Sequence, residues 1–148
     1  MKKLLFLTII ISLFFACNQK EKLYDEVMDV HDHAMAKMDK IMSLKSELKE
    51  KIQTLEMDTT TDHSDEINEM NGLLQDLNAS DESMMNWMRE FHSNYETQSR
   101  DEVMDYLENQ KRLIEQIGNN MNDVITDAEE YMEKWPLLQV FRSGILIN

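Results

Sequence analysis

Apolar side chains recur along the C-terminal part of the chain in steps that alternate between three and four residues. Between residues 101 and 135 no proline occurs, and Gly118 is the only glycine. This spacing is a heptad repeat, which predicts one long helix with a continuous apolar stripe. Such a stripe requires partner helices of similar length, because it has to be buried from water. Its members are Val103, Leu107, Ile114, Ile117, Met121, Val124, Ala128, Tyr131 and Trp135, with Gln110 as a polar interruption.

Two earlier segments have helical spacing and can supply those partners. The first, about residues 22–57, carries an aliphatic stripe beside a methionine-rich stripe, as expected of a helix with two neighbours. The second, about residues 63–95, keeps its phase through Ser80, where a kink or a fresh N-cap is the alternative. With a third helix at about residues 99–135, the sequence predicts an all-α fold, an antiparallel three-helix bundle of long, coiled-coil-like helices.

Polar segments mark the expected ends of these helices. Residues 58–62 are rich in Thr and Asp, which favour turns and caps over helix interiors. Residues 94–100 form the second predicted turn, in which Ser99 and Glu102 match a capping box. Pro136 is predicted to end the third helix, which leaves residues 136–148 as an apolar C-terminal tail.

The N-terminus has the pattern of a cleaved signal peptide. Lys2 and Lys3 precede an apolar run, residues 4–15, that is shorter than the roughly 20 residues a membrane span needs. The run ends at Ala16 and Cys17, the only cysteine in the chain. This arrangement resembles the lipobox of bacterial lipoproteins, which implies cleavage before Cys17 and acylation of its thiol, for instance with palmitate. Residues 1–16 are then the signal peptide, 17–21 a lipidated tether and 22–135 the bundle; an ordinary signal peptide is the alternative.

Composition narrows the range of functions. The formal net charge of −14 makes nucleic acid and anionic lipid surfaces unlikely partners. The sequence contains no Glu-x-x-His, His-Glu-x-x-His or Gly-x-Ser-x-Gly motif and no glycine-rich phosphate loop. We therefore expect no enzymatic activity and no catalytic residues.

Methionine and histidine form the most distinctive combination among the 13 methionines and four histidines. Antiparallel pairing about the first turn places Met28 opposite His92, His31 opposite Arg89 and Met35 opposite Met85. Thioether and imidazole groups select Cu(I) and similar soft ions. Core filling and an adaptable binding surface are the alternative roles of such a stripe. The predicted metal ligands are Met28, His31, Met35, Met85, Met88 and His92.

Four stretches together resemble a family of small helical lipoproteins from Bacteroidetes-type bacteria. They are the lipobox, residues 30–38, residues 44–49 and the run of residues 84–91 that contains Trp87 and Phe91. Genome projects often label these proteins as relatives of viral A-type inclusion protein, a label that reflects coiled-coil similarity and implies no viral role. The resemblance implies a helical lipoprotein and brings no established activity.

These patterns predict a lipid-anchored, non-enzymatic protein of the bacterial envelope that faces the periplasm or the cell surface. Its expected role is that of an interaction or scaffold module without a cofactor. The membrane is the expected partner of the anchor, and a second protein or a second copy is the expected partner of the helical faces. Two alternatives stay open: a protein that binds or buffers copper as Cu(I), and a periplasmic chaperone-like holdase.

Overall fold

The computed structural model describes the backbone of residues 2–142 and the side chains of residues 19–136. This part of the chain contains four helices and no strand: α1 (Lys2–Met35), α2 (Met38–Met57), α3 (Ser64–Glu90) and α4 (Arg100–Arg142). Only a turn of two residues separates α1 from α2, and with these two joined the fold is a bundle of three helices. The all-α bundle predicted from the heptad spacing is therefore confirmed.

Three of the predicted segments lie partly outside this description. The side chains of the signal-peptide segment 1–16, of Cys17 and of tail residues 137–148 are outside the described residues. Among the residues that are described, no helix combines the length and the apolar character that crossing a membrane requires. Cleavage and lipidation at Cys17 therefore stay predictions.

Aromatic contacts establish that α1 and α3 run in opposite directions. The ring of Tyr24 lies 6.1 Å from that of Phe91, and the ring of His31 lies 5.5 Å from that of Trp87. Residue numbers that rise along α1 thus pair with numbers that fall along α3. His31 faces a residue within one helical turn of Arg89, the partner expected from the antiparallel pairing, so the predicted register is close to the observed one.

Ion pairs establish that α4 runs parallel to α1 and α2. Lys111 Nζ lies 2.6 Å from Glu26 Oε2 on α1, and Lys40 Nζ on α2 lies 2.6 Å from Glu129 Oε1. Both numbers rise together along the two helices. The direction of the chain is therefore up, down and up, as the short turns and matching helix lengths predict.

The apolar stripe of α4 lies at the centre of the bundle. Leu107, Ile114, Met121 and Ala128 have no exposed surface, while Ile117 and Trp135 are half-buried at its edge. Complete burial of one such aliphatic side chain contributes about 1.5–3 kcal/mol, so the stripe is the main source of cohesion. The buried apolar core extends from Val27 on α1 to Tyr131 on α4.

The predicted first helix is not continuous, because the chain makes a turn at Ala36 and Lys37. The Lys37 N–H donates to the carbonyl of Ala34, three residues back, at 3.0 Å. Lys37 falls on the aliphatic stripe between Ala34 and Ile41, where an unpaired ammonium would be costly to bury. Its Nζ instead donates to the Gly118 carbonyl of α4 at 2.9 Å. The interruption thus coincides with a cationic side chain that reaches a neighbouring backbone.

The second predicted helix corresponds to α3. It runs through Ser80 without a new N-cap, but it ends at Glu90 and not at Tyr95 as predicted. Phe91 has the extended ψ of 130°, and the next N–H, that of His92, donates to the Tyr106 hydroxyl of α4 at 3.0 Å. The early end of α3 thus coincides with a hydrogen bond from the backbone after it to the Tyr106 side chain of α4. The apolar spacing persists to Tyr95 because that ring still packs on the core.

The two ends of α4 gave different outcomes. The capping box is confirmed: Glu102 Oε2 accepts from the Ser99 N–H at 2.7 Å, and Ser99 Oγ accepts from the Glu102 N–H at 3.3 Å. Hydrogen bonds from the backbone N–H and the side chain of Ser99 lower the pKa of the Glu102 carboxyl. The prediction that Pro136 ends the helix is wrong, because α4 continues through it to Arg142. Proline removes one backbone hydrogen bond, and a helix already packed at Tyr131 and Trp135 can tolerate that loss.

Two leucines on α4 provide a matched test of the buried stripe. Leu107 has no exposed surface, whereas Leu113 is 39 % exposed. We expect Leu107→Ala to lower the free energy of unfolding by about 2–5 kcal/mol, since it leaves a cavity in the core. Leu113→Ala should change it by less than about 0.5 kcal/mol. Chemical denaturation followed by circular dichroism measures both, and equal effects would contradict the assignment of the stripe.

Candidate functional site

Six methionines follow the seam between α1, α2 and α3. On the first two helices, the series Met28, His31, Met35, Met38, Met42 and Lys45 has steps of three and four, so its members share one side. Two members of this series contact α3, because His31 packs on Trp87 and Lys45 Nζ lies 2.8 Å from Asp81 Oδ2. We define the methionine face as Met28, Met35, Met38, Met42, Met85 and Met88.

The methionine face is partly open to solvent. Met42 is 56 % exposed and Met85 is 40 % exposed, whereas Met35, Met38 and Met88 are half-buried against the core. Methionine is flexible and polarizable, so it adapts to a partner of irregular shape. The face thus combines core filling at its base with an accessible apolar surface above.

His31 lies on the methionine face with its ring held in a defined orientation. The ring packs against the indole of Trp87, and Nδ1 lies 2.9 Å from Asp32 Oδ1. A carboxylate bonded to one ring nitrogen selects the tautomer that leaves the other nitrogen able to bind a metal ion. His31 and its methionine neighbours are therefore the best-placed of the predicted soft-metal ligands.

His92, the other predicted imidazole ligand, lies in a different set of contacts. It is exposed in the segment after α3, where its Nδ1 lies 3.2 Å from the Tyr106 hydroxyl and its ring lies 4.5 Å from the Tyr106 ring. The early end of α3 has moved it from the helical position that the pairing with Met28 assumed. Within the described residues, no cluster of three or more His, Cys, Asp or Glu side chains is arranged to hold a metal ion.

Aromatic rings concentrate at the end of the bundle where the first core side chains of α1, Leu23 and Tyr24, lie. Trp87 and Phe91 stack at 4.8 Å, as their spacing of four residues predicts. Phe91 also contacts Tyr24 of α1 and Tyr106 of α4, so the stack joins all three helices of the bundle. We define the aromatic end as Tyr24, Trp87, Phe91, Tyr95 and Tyr106.

Tyr95 has an unusual environment at the aromatic end. Its hydroxyl is buried and has no hydrogen-bond partner among the described side chains. Burial, together with the neighbouring hydroxyls of Tyr106 and Tyr24, raises the pKa of Tyr95 to about 12. The ammonium of Lys20 lies over the other part of this residue, 5.4 Å from the ring centroid. Neither the hydroxyl nor the cation contact was foreseen from the sequence.

A second feature that the sequence analysis missed is the histidine at the first turn. His63 is 8 % exposed and precedes α3 directly. Its Nε2 lies 3.0 Å from Asp58 Oδ2, and its Nδ1 lies 3.6 Å from the buried Glu66. The spacing of Asp, His and Glu around a predicted helix start was a readable indication of this contact.

The charges at the first turn stabilise one another. The hydrogen bond to Asp58, opposed by burial and assisted by Glu66, raises the pKa of His63 above its ordinary 6.5. Hydrogen bonds from Thr60 and His63 lower the pKa of Asp58 to about 2. The turn therefore holds an imidazolium between two carboxylates at mildly acid pH.

Comparison of the chain with models of protein families, with curated proteins and with solved structures gave no match.

The first turn predicts a specific dependence of stability on pH. Because the folded state raises the pKa of His63, its contribution is complete below pH 6.5 and disappears as pH rises through the folded pKa. The folded state lowers the pKa of Asp58. The contribution of Asp58 to the stability of the fold is therefore complete above pH 3.8 and is lost as the pH falls towards about 2. We expect the free energy of unfolding of the native chain to fall between pH 6 and pH 8. The fall should be smaller in His63→Gln, which lacks the titrating imidazole.

The variant Asp58→Asn separates the hydrogen bond from burial in this titration. It removes the hydrogen bond that contributes most to the raised pKa of His63. The pKa of His63, measured by NMR from its ring proton, should therefore fall. An unchanged His63 titration in Asp58→Asn would contradict the assigned cause.

Proposed function

We propose that this chain is a lipid-anchored, non-enzymatic interaction module of the bacterial envelope, and that the methionine face is its binding surface. The single observation that carries the proposal is the exposure of that face. Large apolar side chains rarely stay exposed in clusters unless they bind something. Met42 and Met85 are exposed on either side of one seam, while their neighbours of the same type are half-buried.

The placement of Cys17 supports the anchoring part of the proposal. Residues 19–22 are exposed and Leu23 is the first described side chain that packs on the core. A short polar segment thus separates Cys17 from the folded part. An acyl group on Cys17 would hold the bundle close to the membrane surface and leave the methionine face directed to the compartment beside it.

A protein partner is the occupant that best fits the methionine face. Methionine-rich surfaces adapt to helical or irregular apolar segments, and they change partner at little cost. The chain has a formal net charge of −14, which disfavours association of separate copies and favours a partner of opposite charge.

The proposal predicts that the protein is attached to the membrane through the Cys17 sulfur and that it binds its partner through the methionine face. Cys17→Ser should release the protein from the membrane fraction, and mass spectrometry of the native N-terminal peptide should show an acylated Cys17. A photo-crosslinking residue in place of Met42 or Met85 should give a discrete adduct in the producing bacterium. The same residue in place of Leu113, which has similar exposure on α4, is the control. Equal adducts from all three positions, or an unmodified Cys17, would contradict the proposal.

A soft-metal site is the second candidate, and the orientation of His31 favours it. The bond from Nδ1 to Asp32 directs the opposite ring nitrogen away from the carboxylate, and thioethers lie three and four residues away at Met28 and Met35. Cu(I) is the ion that this donor set would take.

Competition with a chromogenic Cu(I) chelator tests the second candidate. We expect His31→Ala to weaken Cu(I) binding by at least about ten-fold, because losing a ligand should cost no less than losing the group that orients one. His33→Ala, which removes an exposed imidazole pointing to another side of α1, should leave the affinity unchanged. Affinity that survives a combined His31→Ala and His92→Ala change would exclude both predicted imidazole ligands.

A further inference from the structure

A small pocket opens at the aromatic end, between the first turns of α1 that follow Cys17 and the segment after α3. Its volume is about 230 Å³. The rings of Tyr24 and Tyr95 line it, and Glu21, Asp25, Ser93 and Lys20 complete its walls. The pocket therefore combines two electron-rich rings with two carboxylates on successive turns of α1.

One cation from the chain itself already uses this environment. The Lys20 ammonium lies 5.4 Å from the centroid of the Tyr95 ring, within the distance at which a cation is attracted to an aromatic face. Such a contact is weak when the cation is exposed, as Lys20 is. An incoming cation can therefore replace Lys20 without breaking a buried interaction.

The ring of Tyr95 packs against neighbouring rings at the aromatic end. It lies 6.0 Å from the Tyr106 ring and 6.2 Å from the His92 ring, and its hydroxyl is buried. Phe91 positions Tyr24 on the other side. Aromatic faces are groups by which proteins recognise quaternary ammonium ligands, and here two carboxylates lie beside them.

We propose that this pocket binds an alkylammonium group and that Lys20 is an internal occupant which the ligand displaces. The two available sources are the amine headgroup of a membrane phospholipid and a free amine. The lipid source rests on the proposed function, since Cys17 precedes Lys20 by three residues on α1, a helical rise of about 5 Å. An acylated Cys17 would hold the pocket at the level of the headgroups.

The binding test uses the chain from Cys17 onwards with Cys17→Ser, which keeps the whole buried core from Val27 to Tyr131. Circular dichroism first verifies that it is folded. The probe is tetramethylammonium chloride, and sodium chloride at equal ionic strength is the control salt. We expect saturable shifts of the Tyr24 and Tyr95 ring resonances in NMR spectra with the probe alone. Their absence would overturn the proposal.

Two pairs of matched variants separate a site from general attraction to an acidic protein. Tyr95→Phe keeps the aromatic face and should keep binding, whereas Tyr95→Leu should lose it. Lys20→Gln should tighten binding by about two- to five-fold, the value of one exposed cation–π contact. Lys22→Gln removes the same charge two residues away and should change the affinity by less. Equal gains in the two lysine variants, or binding that survives Tyr95→Leu, would overturn the proposal.

Vesicles then identify the source of the amine. Ring shifts with vesicles of phosphatidylethanolamine and phosphatidylglycerol, but not with phosphatidylglycerol alone, would support the pocket and assign a lipid headgroup. Shifts with tetramethylammonium only would support the pocket and assign a free amine. Lipidation of Cys17 is read separately by mass spectrometry of the native protein, so failure of the anchor and failure of the pocket give different results.

Discussion

The structure depends on the burial of one apolar stripe on α4 by two helical partners at once. Leu107, Ile114 and Met121 have no exposed surface because α1 and α2 cover one side of the stripe and α3 covers the other. Each helix is marginal alone, since helices in water gain most of their stability from packing. Ion pairs such as Glu26 with Lys111 lie at the edge of this seam and align it, but they are solvent-accessible and contribute little by comparison.

Spacing along the sequence was sufficient to predict three helical segments, their directions and an approximate register. Heptads report which side of a helix is buried, and two stripes on the first helix report two neighbours. The capping box of Ser99 and Glu102 was also readable, because both partners are local. The stacking of Trp87 on Phe91 followed from spacing for the same reason.

What could not be predicted depends on contacts between residues far apart in sequence. The turn at Lys37 coincides with the Gly118 carbonyl, 81 residues away, and the early end of α3 coincides with the hydroxyl of Tyr106. The local rule that proline ends a helix did not hold at Pro136, where Tyr131 and Trp135 of the same helix are already packed on the core. The contacts of His63 with Asp58 and Glu66 are local in sequence, but they were not predicted. Spacing placed Met28, His31 and Met35 on one side of the first helix, but it did not predict that His31 and His92 lie in different environments.

The parallel course of α1 and α4 has a mechanical consequence. A pulling force applied at the N-terminal end of α1 acts along the seam and not across it. Several contacts along this seam would then bear the force together, in shear, and would not open one after another from one end. They are Glu26 with Lys111, Lys37 with Gly118 and Lys40 with Glu129. A bundle pulled by its first helix in this geometry therefore resists unfolding along the full length of these contacts.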